Sequence, residues 1–449
     1  MENLDTTTVN IYIKTLGCKV NLFDSNVIAS RLKDLGLDGI KLSLVADYRE
    51  ASCVILNTCS VTHNAEKEVF YLIRHYRKEN PSIKIVVTGC AVSLDEVKDR
   101  LEHEYGVDLV ILNQDKSRFC SHLIPYLYAW FNTVDKVSNP NFSDFSRFDG
   151  INYNSDILFG QGLSDRQRYF LKIQDGCSAM CSYCIIPYTR GKPRSVDESL
   201  VVDQVKKIVD SGIREIVFTG IHVGKYGMDC GSSLLKLLTK ISEIKPYFRY
   251  RISSIEVGEL GSDLLNFLKD SPNFCNHFHI PMQSGSDKIL SSMNRKYTRE
   301  EFKTKLTEIH ELFGDASIGS DVIVGFCGED EKDFEDSKDL IKSSYLNYLH
   351  VFPYSPRKGT RSYELPDVNQ NVKIERARIL RELSTNLWNK YLDENIGKEC
   401  ELLWETEHEG CSKNYIHVYT PKEHIPGTIS KAVFKAKNSA DPSTMRIIE

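Results

Sequence analysis

Three cysteines with C-x3-C-x2-C spacing stand near the middle of the chain, at Cys177, Cys181 and Cys184. Three thiolates on one short loop can hold three irons of a [4Fe–4S] cluster, because cysteine thiolates are the usual protein ligands of such clusters. The fourth iron then keeps an open position for a substrate or a cofactor. A zinc site normally takes four protein ligands, and no fourth cysteine or histidine follows at zinc-finger spacing. The spacing therefore favours an iron–sulfur loop over a zinc knuckle or structural thiols.

The elements that would position a second set of cysteines lie in the N-terminal part of the chain. Helical periodicity predicts helices over residues 24–35 and 66–78. Short runs of β-branched and aromatic residues predict three strands around them, at residues 8–14, 53–57 and 84–88. The order strand, helix, strand, helix, strand is typical of a parallel α/β sheet.

A cysteine follows the carboxyl end of each of these predicted strands: Cys18, Cys59 and Cys90. In open parallel sheets, ligands bind outside that edge. We therefore expect three cysteines from distant positions in the sequence to meet on one rim, with coincidental burial as the alternative. Cys53 stands inside its predicted strand, and we interpret it as a small buried hydrophobic residue.

A second α/β region follows a segment rich in Asn, Ser, Asp and Gly, which we interpret as a linker over residues 141–165. Beyond the linker, helices predicted at residues 199–211 and 299–313 alternate with strands. Six such strands are predicted, at residues 169–173, 215–219, 249–253, 277–280, 318–324 and 349–352. A full eight-fold barrel takes about 250 residues. We therefore expect a partial (β/α)6 barrel in this shorter region.

The pattern changes after a helix predicted over residues 376–391. Short strands separated by turns are predicted from there to the end of the chain, at residues 399–404, 415–419 and 432–435. The predicted fold class is therefore α/β, with an N-terminal parallel domain, a central partial barrel and a small all-β domain at the C-terminus.

The composition limits the classes of function. The length of 449 residues suggests about three domains. A net charge of −5 argues against a highly cationic, histone-like binder, although an enzyme can still carry local basic patches. The N-terminus lacks the pattern of a secretion signal, and no apolar stretch approaches the roughly 20 residues of a membrane span. We therefore expect a reducing, cytoplasmic compartment, in which clustered cysteines, such as some of the 13 in this chain, form metal or redox sites more often than disulfides.

The loop DGCSAMCSYC, with Tyr183 before its last cysteine, resembles the radical S-adenosylmethionine (SAM) superfamily. The resemblance implies that Cys177, Cys181 and Cys184 hold a [4Fe–4S] cluster whose fourth iron binds SAM. It further implies that an electron from the cluster cleaves SAM to a 5′-deoxyadenosyl radical, so that the cofactors perform the difficult chemistry.

Further motifs resemble one branch of that superfamily, the methylthiotransferase family. They cover nearly the whole chain and read TLGCKVN, NTCSVT, VTGCAV, FTGIHVGKYG, RISSIE, HIPMQSGSDKIL, DVIVGFCGE and HVFPYSPRKGT. The resemblance implies an N-terminal methylthiotransferase α/β domain at residues 8–140, a radical SAM core at residues 166–390 and a TRAM-like β domain at residues 397–449.

By the same resemblance, Cys18, Cys59 and Cys90 bind a second, auxiliary [4Fe–4S] cluster. The family reaction inserts a methylthio group at an unactivated C–H bond. One SAM supplies the methyl group, a second SAM yields the radical that removes the hydrogen, and the region of the auxiliary cluster carries the sulfur. An electron donor such as flavodoxin or ferredoxin is also implied. No residue of the chain is assigned as a catalytic group.

The resemblance implies SAM contacts at residues in the cysteine loop and at or just after the barrel strands, where barrels place their active sites. Each of these residues could instead be an ordinary core or turn residue. They are Tyr183, Thr219, Gly220, Ser253, Gln283 and Gly325.

Three segments resemble the subfamily that acts on N6-threonylcarbamoyladenosine at position 37, in the anticodon loop of tRNA, and converts it to the 2-methylthio form. They are TLGCKVN, TGIHVGKYG and SKNYIHVYTP. The alternatives are the subfamilies that modify isopentenyladenosine-37 of tRNA or an aspartate of a ribosomal protein, because all of them share both cysteine sets. A tRNA-binding protein with purely structural clusters is an alternative of another class.

Binding of tRNA requires local positive charge. One basic run flanks the cysteine loop and is predicted to meet phosphates: Arg166, Arg168, Lys172, Arg190, Lys192 and Arg194. A smaller run contains Arg357, Lys358 and Arg361. The C-terminal domain is nearly neutral, so its charge gives no evidence that it binds RNA. Cys327 stands where the family often has proline and is assigned no role.

Overall fold

The computed structural model describes residues 6–131 and 167–448. The chain forms two compact units. Of the described residues, the first unit holds residues 6–131 and 185–192, and the second holds residues 167–184 and 193–448. The predicted linker over residues 141–165 lies outside the described residues. None of the described helices has the length and apolar character that crossing a bilayer requires.

The first unit contains one sheet of parallel strands. The strands are β1 (Thr7–Thr15), β2 (Ile40–Leu44), β3 (Cys53–Thr58), β4 (Lys84–Gly89) and β5 (Leu109–Val110). Their order in the sheet is β2-β1-β3-β4-β5. β3 is buried along its whole length, which explains its continuous apolar run. The structure confirms the three predicted strands and adds β2 and β5, two edge strands whose partly exposed residues give no clear alternation.

Helices of the first unit pack on both faces of this sheet. They are α1 (Lys19–Asp34), α2 (His63–Glu79), α3 (Asp95–His103), α4 (Phe119–Phe131) and α5 (Ile186–Arg190). α1 and α4 share one apolar core with the strands, and α2 and α3 share the other. α1 begins at Lys19 rather than at Asp24, because Cys18 already has the extended backbone of an N-cap residue and Val20 is buried in the first turn.

The second unit is built on six parallel strands that form a partial barrel, as predicted. It starts with β6 (Arg168–Lys172) and the short antiparallel pair β7 (Gln174–Asp175) and β8 (Arg194–Ser195), and continues with β9 (Glu215–Thr219), β10 (Arg249–Ile252), β11 (His277–His279), β12 (Ser317–Val324) and β13 (Tyr348–Pro353). The barrel strands form the sheets β10-β9-β6 and β11-β12-β13. A parallel bridge between Tyr250 and Phe274 joins the two sheets.

Helices follow the barrel strands in alternation. They are α6 (Glu198–Asp210), α7 (Leu234–Ser242), α8 (Ser262–Asp270), α9 (Asp287–Ser292), α10 (Arg299–Phe313), α11 (Glu331–Ser343) and α12 (Gln370–Asn395). Capping boxes begin α10 at Thr298 and α11 at Asp330, which satisfies backbone donors at both helix starts. α12 starts before its predicted first residue, Arg376, because the side chain of Asn369 caps it.

The C-terminal part of the second unit is a closed five-stranded barrel, which confirms the predicted all-β domain. Its strands are β14 (Glu399–Trp404), β15 (Glu409–Ser412), β16 (His417–Tyr419), β17 (Ile429–Lys437) and β18 (Met445–Ile448). β15 and β18 are not predicted from the sequence. β18 closes the barrel by pairing with both β16 and β17.

A buried ion network joins the small barrel to the larger one within the second unit. Glu215 is fully buried, and its carboxylate accepts hydrogen bonds from Arg249 and Arg251 at 2.5 and 2.8 Å. The same two arginines donate to the carbonyl oxygens of Cys411 and Ser412 on β15. Burial raises the pKa of Glu215, but the two guanidinium groups outweigh burial and lower this pKa to about 2. The network therefore stays charged at neutral pH.

Candidate functional site

The first site is the carboxyl edge of the parallel sheet in the first unit. Cys59 directly follows β3 and Cys90 directly follows β4, and both are buried. Cys18 follows β1, immediately precedes α1 and is exposed. Because β1, β3 and β4 are neighbours in the sheet, the structure places the three cysteines on one rim, as the sequence predicts.

The backbone at this rim lets the cysteine sulfurs approach one another. Gly17 has a φ of +89°, and a Cβ at this position would lie 2.6 Å from Cys59 Sγ. A larger residue would therefore displace that sulfur. Burial raises the pKa of the Cys59 thiol to about 11, and the nearby Cys90 and Cys18 contribute to the increase. The three sulfurs thus lie within electrostatic reach of one another.

A buried polar network surrounds Cys90. Arg190 ends α5, is 4% exposed, and donates from Nε to Cys90 Sγ at 3.2 Å and from Nη2 to Asn21 Oδ1 at 2.6 Å. Asp24 lies 3.5 Å from Arg190 Nη2 and accepts a hydrogen bond from Lys116 Nζ at 3.0 Å. Lys116 is also buried, and burial lowers its pKa while Asp24 favours its charged form.

Two buried cations therefore contact the same carboxylate beside the buried cysteine sulfurs. Burial raises the pKa of Cys90, whereas the charges of Arg190 and Lys116 act to lower it. A buried positive charge is costly unless an opposite charge compensates it, and the thiolate ligands of an iron–sulfur cluster would supply negative charge at this edge. The residues present thus fit a [4Fe–4S] cluster held by three cysteines.

The second site is the C-x3-C-x2-C loop of the second unit, whose cysteines are all partly exposed. The residues before the first cysteine fix the start of the loop. Gly176 has a φ of +74°, and Gln174 Nε2 donates to the carbonyl oxygens of Asp175 and Gly176 at 3.0 and 2.8 Å. Lys172 Nζ donates to the Asp175 carboxylate at 3.1 Å.

Cys177 contacts a histidine that the sequence does not link to it. His222 Nδ1 lies 3.4 Å from Cys177 Sγ, and the backbone N–H of Ala179 donates to the same sulfur at 3.4 Å. His222 Nε2 lies 2.5 Å from Glu259 Oε1. Burial raises the pKa of Cys177, but the hydrogen bonds from His222 and Ala179, together with nearby positive charge, outweigh burial and lower this pKa. Burial lowers the pKa of His222, whereas Cys177 and Glu259 together raise it to about 9. The environment thus favours the thiolate, the form that binds metals.

Cys181 contacts an arginine, and its neighbour anchors the loop. Arg295 Nη1 donates to Cys181 Sγ at 3.5 Å and also pairs with Glu256. The backbone N–H of Ser182 donates to the carbonyl oxygen of Met293 at 3.0 Å. Hydrogen-bond donors therefore support two of the three loop sulfurs, which fits the negative charge of an iron–sulfur cluster.

Three of the implied SAM contacts lie where the barrel strands end beside the loop. Thr219 is the last residue of β9, and a Cβ on Gly220 would lie 2.9 Å from the carbonyl oxygen of Gln174. Ser253 follows β10 and is 8% exposed, and its hydroxyl has no hydrogen-bond partner within the described part of the chain. A buried polar atom without a partner is costly, so this hydroxyl fits contact with a polar ligand such as SAM.

The other three implied SAM contacts surround the end of β12. Gln283 has a φ of +62°, and its backbone N–H donates to the carbonyl oxygen of Asp321 at 2.9 Å. Gly325 follows β12, and a Cβ at this position would lie 2.4 Å from Lys373 Cγ. Tyr183 packs against an apolar cluster at the same end of the strand. All six positions thus lie at strand ends or in the cysteine loop.

Only part of the basic run around the cysteine loop is available as the phosphate-binding surface that the sequence predicts. The side chains of three of its members are at least nine-tenths buried and contact carboxylates or a sulfur: Arg168, Lys172 and Arg190. Lys192 and Arg194 are exposed, and Arg166 lies outside the described residues. In the smaller run, Arg357 is also buried. Charge counting along the sequence fails here because it does not show which side chains are buried.

None of the remaining cysteines is assigned to a site. All 13 cysteines belong to the described residues, and none forms a disulfide. Cys53 is fully buried inside β3, as predicted. Cys327 is buried, with its sulfur 3.5 Å from the carbonyl oxygen of Ser362, and it remains without an assigned role.

Four residues that contact the cysteine sites have no predicted role there. They are Arg190, Lys116, His222 and Arg295. Arg190 carries one signal in the sequence, since it follows the cysteine loop closely in a basic segment. Lys116, His222 and Arg295 are far in sequence from the cysteines beside them, and no spacing rule connects them.

Two family models match the chain. The first is described as the radical SAM superfamily and matches residues 171–341, and the second is described as uncharacterized protein family UPF0004 and matches residues 10–112. A solved structure of the radical SAM methyltransferase TsrM from Kitasatospora setae is similar in fold. Its TM-score is 0.55 at 13% identity, over 77% of this chain and 74% of that one.

Curated relatives cover nearly the full length. The protein named threonylcarbamoyladenosine tRNA methylthiotransferase MtaB of Aquifex aeolicus is 34% identical over 91% of this chain and 96% of its own length. The protein of the same name from Rickettsia prowazekii is 36% identical, over 94% and 93%. The protein named tRNA-2-methylthio-N(6)-dimethylallyladenosine synthase of Natranaerobius thermophilus is 31% identical, over 90% and 86%.

Proposed function

The chain belongs to the methylthiotransferase family of radical SAM enzymes, and on that premise we propose that it converts N6-threonylcarbamoyladenosine at position 37 of tRNA to its 2-methylthio derivative. One observation carries the choice of substrate. Relatives named for threonylcarbamoyladenosine are 33–36% identical to this chain, whereas those named for dimethylallyladenosine are 30–32% identical.

Enzymes of this family use SAM and two [4Fe–4S] clusters, and both cysteine sites fit such clusters. We assign one cluster to Cys177, Cys181 and Cys184, and the auxiliary cluster to the sheet-edge cysteines Cys18, Cys59 and Cys90. When bound, these groups supply the electron, the hydrogen-removing radical and the sulfur of the family reaction. The side chains around the two sites bind these groups and keep their charge compensated.

In the second unit, the side chains that contact the loop stabilise the cysteine sulfurs in the form that binds iron. His222 and Arg295 donate to Cys177 and Cys181. Glu259 in turn contacts the far nitrogen of His222. Partners of this outer kind orient metal ligands and stabilise their charge. We assign this supporting role to His222 and Arg295, and neither is assigned a contact with the substrate.

The strand ends beside the loop provide polar groups for SAM. The hydroxyl of Ser253 lacks a protein partner among the described residues. We propose that it donates to SAM, with Thr219 and Gln283 on neighbouring strand ends as further contacts. Gly220 allows the backbone to pass close to the loop, and Tyr183 supplies an apolar surface. Gly325 has the weakest support, because Lys373 fills the space beside its Cα.

In the first unit, Arg190 and Lys116 compensate the charge of the auxiliary site. Both are buried, both contact Asp24, and Arg190 also donates to Cys90. A site that receives a thiolate-bound cluster gains negative charge, and these cations offset it. We infer that the network holds the rim cysteines in place for a cluster that presents sulfur to the substrate.

We propose tRNA, through its anticodon loop, as the macromolecular substrate, and flavodoxin or ferredoxin as the electron donor. We also propose a cytoplasmic location, in keeping with a tRNA substrate. The dimethylallyladenosine subfamily is the second candidate, since its members also match almost the whole chain. No observation specifically favours a ribosomal protein as the target.

The proposed substrate is tested by mass spectrometry of tRNA nucleosides from a strain that lacks the gene. We expect 2-methylthio-N6-threonylcarbamoyladenosine to disappear and to return when the gene is restored. Loss of the 2-methylthio-isopentenyl nucleoside instead would assign the chain to the second candidate. Unchanged levels of both nucleosides would exclude both tRNA functions.

A further inference from the structure

A cluster of two histidines and one carboxylate lies on three neighbouring strands of the partial barrel. His350 on β13 has Nδ1 at 3.2 Å from Asp321 Oδ1 on β12, and His279 on β11 has Nε2 at 2.9 Å from the same oxygen. The His279 side chain is 9% exposed, whereas that of His350 is 56% exposed. The cluster therefore runs from the core of the unit to an open surface at His350.

The face that carries this cluster leads to the cysteine loop. Ile323 stands two residues after Asp321, so it shares the same face of β12, and it packs in an apolar cluster with Tyr183 of the loop. In the register of the sheet, Asp321 is opposite His350 and Ile323 is opposite Phe352. His350 is thus about 7 Å along the strand from the position opposite Ile323.

The hydrogen bond to Asp321 determines what His350 can offer a ligand. Nδ1 faces the carboxylate, and Nε2 has no hydrogen-bond partner among the described residues. Burial raises the pKa of Asp321, but hydrogen bonds from His279 and His350 outweigh burial and lower it. A histidine with Nδ1–H held by an ionised carboxylate can donate from Nε2 to an anion when the ring is protonated.

Both imidazoles point to the same oxygen atom of Asp321. This is the arrangement of a carboxylate oxygen that accepts two N–H bonds, in which the nitrogens carry hydrogens rather than free lone pairs. The three side chains are close enough to hold a metal ion as well, but the shared oxygen favours hydrogen bonding. An anion is therefore the expected ligand, and the experiment below also checks for a metal ion.

We propose that His350 binds the carboxylate of the threonylcarbamoyl group through Nε2 and so selects this nucleoside over one with an apolar isopentenyl group. The inference rests on the proposed function, because the threonylcarbamoyl group is what gives that nucleoside a carboxylate. Asp321 acts as a positioning residue that orients the imidazole, and His279 orients Asp321.

The test measures RNA binding by fluorescence anisotropy. It uses the whole chain with both clusters reconstituted, in the absence of reductant. The probes are anticodon stem-loops with N6-threonylcarbamoyladenosine, with its carboxyl methyl ester, or with plain adenosine. We expect wild type to bind the free acid about tenfold more tightly than the ester, as for a hydrogen bond between charged groups. His350→Gln should bind acid and ester equally, with an unchanged affinity for plain adenosine.

Two variants separate loss of this contact from general damage. His103→Gln removes an exposed histidine that is also paired with an aspartate, Asp99, on a helix of the first unit, and it should keep the wild-type preference for the acid. His350→Arg should keep most of the preference, because arginine restores a cationic donor. Each variant is compared with wild type at equal iron content.

Several results would overturn the inference. An undiminished preference for the acid in His350→Gln would remove His350 from substrate recognition. A stoichiometric metal ion other than iron, present in wild type and lost in His350→Gln, would replace the anion site by a metal site. The proposed function is judged separately by turnover. If wild type adds no methylthio group to the free-acid RNA, the proposed function fails, whereas turnover with an unaltered His350→Gln preference refutes only this inference.

Discussion

The two cysteine sites have different structural origins. The site of the first unit takes one cysteine from the end of each of three strands, and two of these cysteines are buried beside Arg190 and Lys116. The site of the second unit places all three cysteines on one loop, partly exposed and contacted by His222 and Arg295. The first site therefore depends on the whole sheet, whereas the second depends on a local loop and a few hydrogen bonds.

This difference indicates how each site should respond to mutation. Residues that support the sheet-edge site are part of a buried network, so changing them should lower the stability of the fold as well as iron binding. Residues that support the loop are in direct contact with single sulfurs, so changing them should affect the cluster more than the fold.

Loss of one ligand should remove one cluster and leave the other. We expect about eight irons per reconstituted wild-type chain and about four in Cys177→Ala or in Cys90→Ala, because each site holds four irons. Anaerobic reconstitution with iron and sulfide analysis measures this. A wild-type chain that saturates at four irons would contradict the two-site account.

Removal of a buried cation should destabilise the first unit. In Arg190→Gln, Asp24 and Cys90 lose a buried partner, and breaking a buried ion pair costs about 3–5 kcal/mol. Urea unfolding of the full chain measures the change. The matched control is Arg118→Gln, which removes an exposed pair with Asp115 and should change stability by less than about 1 kcal/mol. Equal effects of both variants would refute the role of the buried network.

A change at His222 should weaken the loop cluster without affecting the sheet-edge cluster. His222→Asn removes the donor to Cys177, and loss of an outer partner of a metal ligand typically costs about tenfold in metal affinity. Iron release to a chelator measures how tightly each cluster is held. It is followed in the Cys90→Ala background, which keeps the loop cluster, and in the Cys177→Ala background, which keeps the sheet-edge cluster. His75→Asn, at a histidine bonded to Tyr48 in the first unit, is the control. Equal weakening of both clusters by His222→Asn would contradict the local role.

The sequence predicts the strands that end at the site cysteines better than it predicts the edge and terminal strands. β3 and β4 are continuous apolar runs, so both their existence and the rim position of Cys59 and Cys90 follow from the pattern. β2 and β5 lie at the sheet edges with partly exposed residues, and β18 is a short strand at the very end of the chain. These elements depend on pairing partners that no local pattern shows.

A second limit of prediction from the sequence concerns the side chains around the cysteines. Spacing, strand ends and the family resemblance point to the proposed ligand set, but His222 reaches Cys177 only through the fold of the barrel. The sequence suggests that Arg190 is an exposed charge, whereas in the structure it is buried and contacts the sulfur of Cys90. Burial and pairing of charged residues arise from tertiary contacts, so the sequence points to the proposed metal ligands but not to the charges beside them.

The most direct test of the account combines both sites in one reaction. The reconstituted chain is incubated with SAM, a reductant and an anticodon stem-loop that carries N6-threonylcarbamoyladenosine, and its nucleosides are analysed by mass spectrometry. We predict the 2-methylthio product with wild type, and SAM cleavage without this product when Cys18, Cys59 and Cys90 are replaced by alanine. Formation of the product by the triple variant, or its absence with fully loaded wild type, would contradict the account.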